Sequence, residues 1–203
     1  MNYFLISPVR GITDGERDFL RSFVAKTRAD GNQIHFPLDD TVQDDRIGLF
    51  IQRQNLAKIV EADVVLQYYS PTSKGSLFDD GMVFYLGKPL TIVNPEAVGT
   101  LKTPIASFLR WYALKSSLPT DMMVVVGQVL RRGMIPCYAE VPVEWKGPEP
   151  GALFDLGMLF AAGKPIVLMN KVKATPEKSF ENVLIALDRM RRIGALVHDF
   201  GAR

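Results

Sequence analysis

A stretch of twenty residues occurs twice in this chain. Residues 75–94 read GSLFDDGMVFYLGKPLTIVN and residues 151–170 read GALFDLGMLFAAGKPIVLMN, and the two align without a gap at an offset of 76 with 11 of 20 positions identical. Most other positions exchange one apolar residue for another. An internal repeat constrains architecture strongly, because each copy must form the same supersecondary unit. Each copy reads as a short helix, a Gly-Lys-Pro turn and a buried strand, LTIVN or IVLMN. The turns at Gly87-Lys88-Pro89 and Gly163-Lys164-Pro165 are helix stops followed by strand starts. Each helix carries one acid near its start, Asp79 and Asp155.

The chain before the repeat alternates strand and helix patterns. Residues 2–9 (NYFLISPV) are apolar and read as a buried first strand. Thr13 and Glu16 have the spacing of a capping box, and Phe19, Leu20, Phe23 and Val24 form one helical stripe. Residues 33–38 (QIHFPL) read as a second strand, weakened by Pro37, and residues 39–46 as an acidic, solvated loop. A helix follows over residues 47–61, with Ile47, Ile51, Asn55 and Ile59 on its inner stripe. Residues 63–69 (DVVLQYY) read as a third strand. This order implies an α/β fold: a Rossmann-like, doubly wound, mainly parallel sheet with helices on both faces and an internal duplication. Ligands of such sheets bind at the carboxyl ends of the strands, near the switch in strand order.

The second half is less regular. Residues 105–114 read as helix, 119–132 as helix (with 122–126 equally readable as strand), 134–143 as strand and 179–193 as a last helix. No Ser/Gly-rich linker separates the halves. The expectation is an α/β lobe over residues 1–98 and a shorter, degenerate lobe over 99–203, packed as one body.

Charge and composition narrow the function classes. A net charge of +2 argues against nucleic acid as the main partner. One Cys137 and two histidines, His35 and His198, argue against a disulfide, a metal cluster or a metal cofactor. No apolar run is long enough to span a membrane, and the first residues do not read as a signal peptide, so a cytoplasmic location and no membrane partner are expected.

Several residues of the first half have the chemistry of a site. Ser7, Arg10 and Gly11 link the first strand to the first helix, and a helix start beside an arginine suits an anion. Ser73 and Gly75 stand before the repeat helix in the same way. Asn55 is polar on an apolar helix face; it either serves a ligand or satisfies a neighbouring backbone group. Ser76-x-x-Asp79 resembles a capping box, which alone would favour an acid there. In the second copy Ser76 becomes Ala152 while Asp155 remains, so capping does not explain both acids. A favourable interaction with the helix dipole still would.

Taken together, Tyr3-Phe4-x-x-Ser7-x-x-Arg10-Gly11, Asn55-Leu56, Ala62-Asp63-Val64-Val65, Ser73-x-Gly75-x-x-x-Asp79-x-Gly81 and Gly87-Lys88 resemble the 2′-deoxynucleoside 5′-monophosphate N-glycosidases and the related nucleoside 2-deoxyribosyltransferases. The resemblance covers residues 2–94, with an echo at 151–170. It implies a Rossmann-like fold, a homo-oligomer, a deoxynucleoside or deoxynucleotide as ligand, and attack of a helix-borne carboxylate on the anomeric carbon. Asp79 is then the nucleophile with Tyr3 beside it, and Arg10, Ser73 and the backbone near Gly11 and Gly75 hold a 5′-phosphate. Two departures stand out: the family's nucleophilic Glu is here Asp79, and an Asp of the preceding helix is here Asn55. The second copy has no Ser at the phosphate position, and Asp155 is its only site-like residue. Three functions are thus in competition: an N-glycosidase or deoxyribosyltransferase, a nucleotide sensor that does not cleave, and a structural subunit that docks through an apolar surface around Phe108, Trp111 and Tyr112.

Overall fold

A computed structural model of the chain describes residues 1–99, 101–115 and 140–194. Strand β1 (Asn2–Ile6) lies inside a four-stranded parallel sheet. It pairs with β2 (Gln33–His35) on one side and β3 (Val64–Gln67) on the other, and β3 pairs with β4 (Leu90–Ile92), giving the order β2-β1-β3-β4. Successive side chains of β1 enter different cores. Phe4 and Ile6 join Leu56, Ile59 and Phe78, while Leu5 joins Leu20, Val24 and Ile34. Helix α1 (Asp14–Ala29) covers the second core, and α3 (Leu49–Glu61) and α4 (Lys74–Leu86) cover the first. Burial on both faces is why β1 reads as a continuous apolar run instead of an alternating one.

Local signals set most boundaries. The capping box opens α1: Thr13 Oγ1 accepts from the Glu16 amide at 3.2 Å, and Glu16 Oε2 accepts from the Thr13 amide at 3.0 Å. Strand β2 is shorter than its sequence suggests. Pro37 cannot donate to a ladder and instead opens a four-residue helix, α2 (Pro37–Asp40). The acidic segment that follows is not merely solvated. Asp40 accepts from the Phe36 amide at 2.7 Å and pairs with Arg28 at 2.8 Å, Asp39 pairs with Arg21 at 2.9 Å, and Asp45 accepts from the amides of Ile47, Phe50 and Ile51 at the start of α3. Gly48, at φ 96°, turns the chain into that helix, leaving Ile47 exposed while Ile51, Asn55 and Ile59 are buried.

The duplication is longer in three dimensions than in sequence. Strands β5 (Val141–Val143) and β6 (Ile166–Leu168) form a second, two-stranded parallel sheet around helix α7 (Pro150–Ala161). Val141 pairs with Ile166 as Val65 pairs with Leu90, each residue displaced by the same 76 positions. Asn94 clasps the backbone of Tyr69, accepting from its N–H at 2.7 Å and donating to its carbonyl at 2.9 Å. Asn170 clasps Trp145 identically, at 2.9 and 2.7 Å. The repeated unit is therefore strand–helix–strand, not helix–strand.

The two repeat helices pack on each other, and the contact is reciprocal. Phe78 meets Phe160 with ring centroids 5.5 Å apart, and Phe84 meets Phe154 at 5.7 Å. A methyl group at Gly81 would land on the Phe154 carbonyl oxygen, and one at Gly157 on that of Phe78. This backbone approach explains why both copies keep glycine there. Residues Ser76 through Phe84 are all buried, which is why α4 lacks a polar stripe. One core cluster accordingly runs through both halves, from Phe4 to Leu153, Val183 and Leu184. Helices α5 (Pro95–Gly99) and α6 (Pro104–Lys115) lead out of the first repeat, and α8 (Phe180–Arg192) follows the second. The expected helix at 119–132, and the expected strand before Val141, lie outside the described residues. Among the described residues no helix is long and apolar enough to cross a membrane.

Candidate functional site

The order of strand addition switches between β1 and β3, which run parallel: the connection from β1 leads outward to β2, and β3 lies on the other side. The loops leaving the carboxyl ends of β1 and β3 therefore part and leave a crevice, the usual ligand position in such sheets. A cavity of about 370 Å³ opens there. Ser7, Val9 and Arg10 line it from the first loop, and Thr72, Ser73, Lys74 and Gly75 from the loop after β3 and the first turn of α4. Helix α3 presents Gly48, Ile51, Gln52 and Asn55, a single face by their spacing, and α4 presents Asp79.

Asp79 is buried, with 6% of its surface exposed, and it lines the cavity. Asn55 Nδ2 donates to both of its carboxyl oxygens, at 3.2 and 3.4 Å. Burial pushes the Asp79 carboxyl up to about 7, against the smaller opposing effect of the Asn55 amide. Asn55 is itself oriented: Thr41 Oγ1 donates to its Oδ1 at 3.4 Å, and His35 Nε2 lies 2.9 Å from the same hydroxyl. Beside Asp79, Asp80 turns toward the sheet, where Gln67 Nε2 donates to both its oxygens at 2.8 Å. Burial, then the neighbouring Asp79, raises Asp80 well above the usual carboxylate range.

Cations line the cavity too. Arg10 and Lys74 are exposed, and their side chains form no hydrogen bond or ion pair with any described residue. Ser73 caps α4, accepting from the Ser76 amide at 3.4 Å, so the positive end of that helix faces the cavity. Ser7 is 8% exposed and its hydroxyl has no partner among the described residues. Gln52 is equally buried, and its Oε1 has none among them either. Unpartnered buried polar atoms are uncommon, and both residues line the cavity.

The second half closes the cavity. Pro148, Lys178, Ser179, Phe180, Glu181 and Val183 line its remaining side. Glu181 is occupied, accepting from the Trp145 indole N–H at 3.0 Å. Lys178 Nζ donates to the Gln43 carbonyl and side-chain oxygens at 3.2 and 3.3 Å, and desolvation, then the nearby Arg10, lowers its ammonium below the ordinary range.

Ser7, Arg10, Asn55, Ser73, Gly75 and Asp79 are thus brought to one cavity. Tyr3 is not. It alternates with Phe4 onto the α1 side of the sheet, lines a separate cleft of about 210 Å³ with His35 and Lys58, and its hydroxyl meets Met1 Sδ at 3.4 Å. Period-2 alternation puts it on the wrong face to stand beside Asp79. Gly11, at φ 67°, turns the loop without lining the cavity, and Asp155 is exposed away from it. The apolar docking surface also changes character: Tyr112 is buried and donates to the Lys88 carbonyl at 2.7 Å, Phe108 packs on Phe84 and Phe154, and only Trp111 is exposed. Sequence reasoning missed Gln52, although it stands one turn before Asn55 on the same face. It missed Thr41 and Lys178 too, whose roles depend on contacts distant in sequence. Comparison with protein-family models, with curated proteins and with solved structures found no match.

Proposed function

We propose that the chain is an N-glycosidase acting on the base–deoxyribose bond of a deoxynucleoside 5′-monophosphate, with Asp79 as the nucleophile. The observation that carries this reading is a single cavity lined both by a buried carboxylate, Asp79, and by two exposed cations, Arg10 and Lys74, that have no ion-pair partner among the described residues. Its volume suits a small ligand. Asp79 lies six residues into α4 from Ser73, roughly 9 Å along the axis, about the reach of a pentose 5′-phosphate.

In this reading Arg10, Ser7, Ser73 and the first amides of α4 hold the phosphate, fixing the sugar against Asp79. An Asp79 oxygen bonds to the anomeric carbon as the carbon–nitrogen bond breaks, its electron pair leaving with the base, which takes a proton from water. Water then attacks the anomeric carbon, the sugar–carboxylate bond breaks, and Asp79 is regenerated with release of a proton. Asn55 holds the carboxylate in line. Closing water out of the buried end favours attack by a partly desolvated anion.

The test is incubation with each common deoxynucleoside monophosphate, following free base by chromatography. Base is expected from the wild type and not from Asp79→Ala. Because Asp79 must be ionised to attack, kcat/KM should fall roughly tenfold per pH unit below about 7. No base from any of them leaves the second reading, a nucleotide binder without turnover. One observation favours that reading: Asn55 cannot give a proton to the departing base, and among the described residues the only other carboxylate lining the cavity, Glu181, accepts from the Trp145 indole.

A further inference from the structure

Two cations line the same cavity, one from each half of the duplicated chain. Arg10 leaves β1 in the first half, and Lys178 directly precedes the capped start of α8 in the second. The stem of Lys178 packs on Gly48, where an added methyl would stand 3.2 Å from its Cγ, so its position is fixed by α3. Its Nζ has only the long contacts to the neutral oxygens of Gln43, and Arg10 has no partner among the described residues. Asp45 is the nearby acid, and it is engaged by the amides of Ile47, Phe50 and Ile51. Two like charges held together in a partly desolvated mouth raise the free energy of the empty site, and an anion between them lowers it. The buried Ser7 hydroxyl, without a partner among the described residues, lines the same cavity and provides a donor for that anion. The start of α8, at Ser179, adds a second positive helix end to that of α4.

We propose that Arg10 and Lys178 form a clamp between the two halves for a phosphate monoester dianion, so that the cavity selects a phosphorylated nucleoside over the unphosphorylated one. The inference rests on reading the cavity as a nucleotide site, and it assigns Lys178 as a specificity-determining residue supplied by the second half of the chain. The second half, which lacks a phosphate loop of its own, thereby contributes to the site of the first.

The test is calorimetric titration of the full chain with deoxynucleoside 5′-monophosphates, with their parent nucleosides and with inorganic phosphate. Wild type is expected to bind nucleotide at least about tenfold more tightly than nucleoside. Lys178→Gln should lose most of that ratio, and Lys178→Arg should keep most of it. The clamp is overturned by equal wild-type affinity for nucleotide and nucleoside, by Lys178→Gln binding nucleotide as wild type does, or by no binding to any probe. It stands apart from the cleavage reaction: phosphate-dependent binding lost in Lys178→Gln with no base released supports the clamp and sinks the glycosidase. Base release with KM untouched by Lys178→Gln does the reverse.

Discussion

Asp79 costs the fold stability at neutral pH. Its folded-state value of about 7 stands roughly three units above that of an unfolded aspartate, near 3.9. The folded chain therefore binds more protons between those values, and stability falls as pH rises from about 4 to about 7, by up to ~4 kcal/mol in all. Below that window both states are protonated and nothing is lost. Asp79→Asn should accordingly raise stability by about 2–4 kcal/mol at pH 8 and change it little at pH 4, measured by urea denaturation. Equal effects at the two pH values would mean that the carboxyl is not desolvated. An acid retained at such a cost is more readily explained by chemistry than by packing. The acid was legible in the sequence because the second copy loses Ser76 yet keeps its carboxylate. Tyr3 was misplaced because alternation fixes that Tyr3 and Phe4 face apart, but not which of them faces α3 and α4.

At the scale of elements, the repeat helices hold the halves together through backbone contact at Gly81 and Gly157. Gly81→Ala places a methyl on the Phe154 carbonyl, which no side-chain rotation relieves, so α4 and α7 must part. A loss of about 3 kcal/mol or more is expected, at the upper end of overpacking costs, with Gly157→Ala similar because its contact is the reciprocal one. Equilibrium unfolding measures both, and a change below about 1 kcal/mol in either would contradict the close approach. The helices, the capping box and the parallel sheet could be read in advance, since they are written in local spacing. The true extent of the repeat could not. The Tyr69–Asn94 and Trp145–Asn170 clasps use backbone groups of the loops, so the preceding residues were free to diverge while the geometry stayed.

For the whole molecule, duplication has produced one lined cavity in which both copies take part. The first half supplies Asp79, Ser7, Arg10 and Ser73; the second half supplies the helix that packs on α4 and the closing side with Lys178. That division was invisible in the sequence, because Lys178 meets Gln43 across 135 residues and belongs to no repeated motif. The most direct test is a crystal structure of Asp79→Asn, which cannot form the sugar ester, with a deoxynucleoside 5′-monophosphate bound. The phosphate is expected between Arg10 and Ser73, with the anomeric carbon facing the side chain at position 79. A ligand seated with its phosphate away from Arg10, or its sugar turned from position 79, would contradict the central claim.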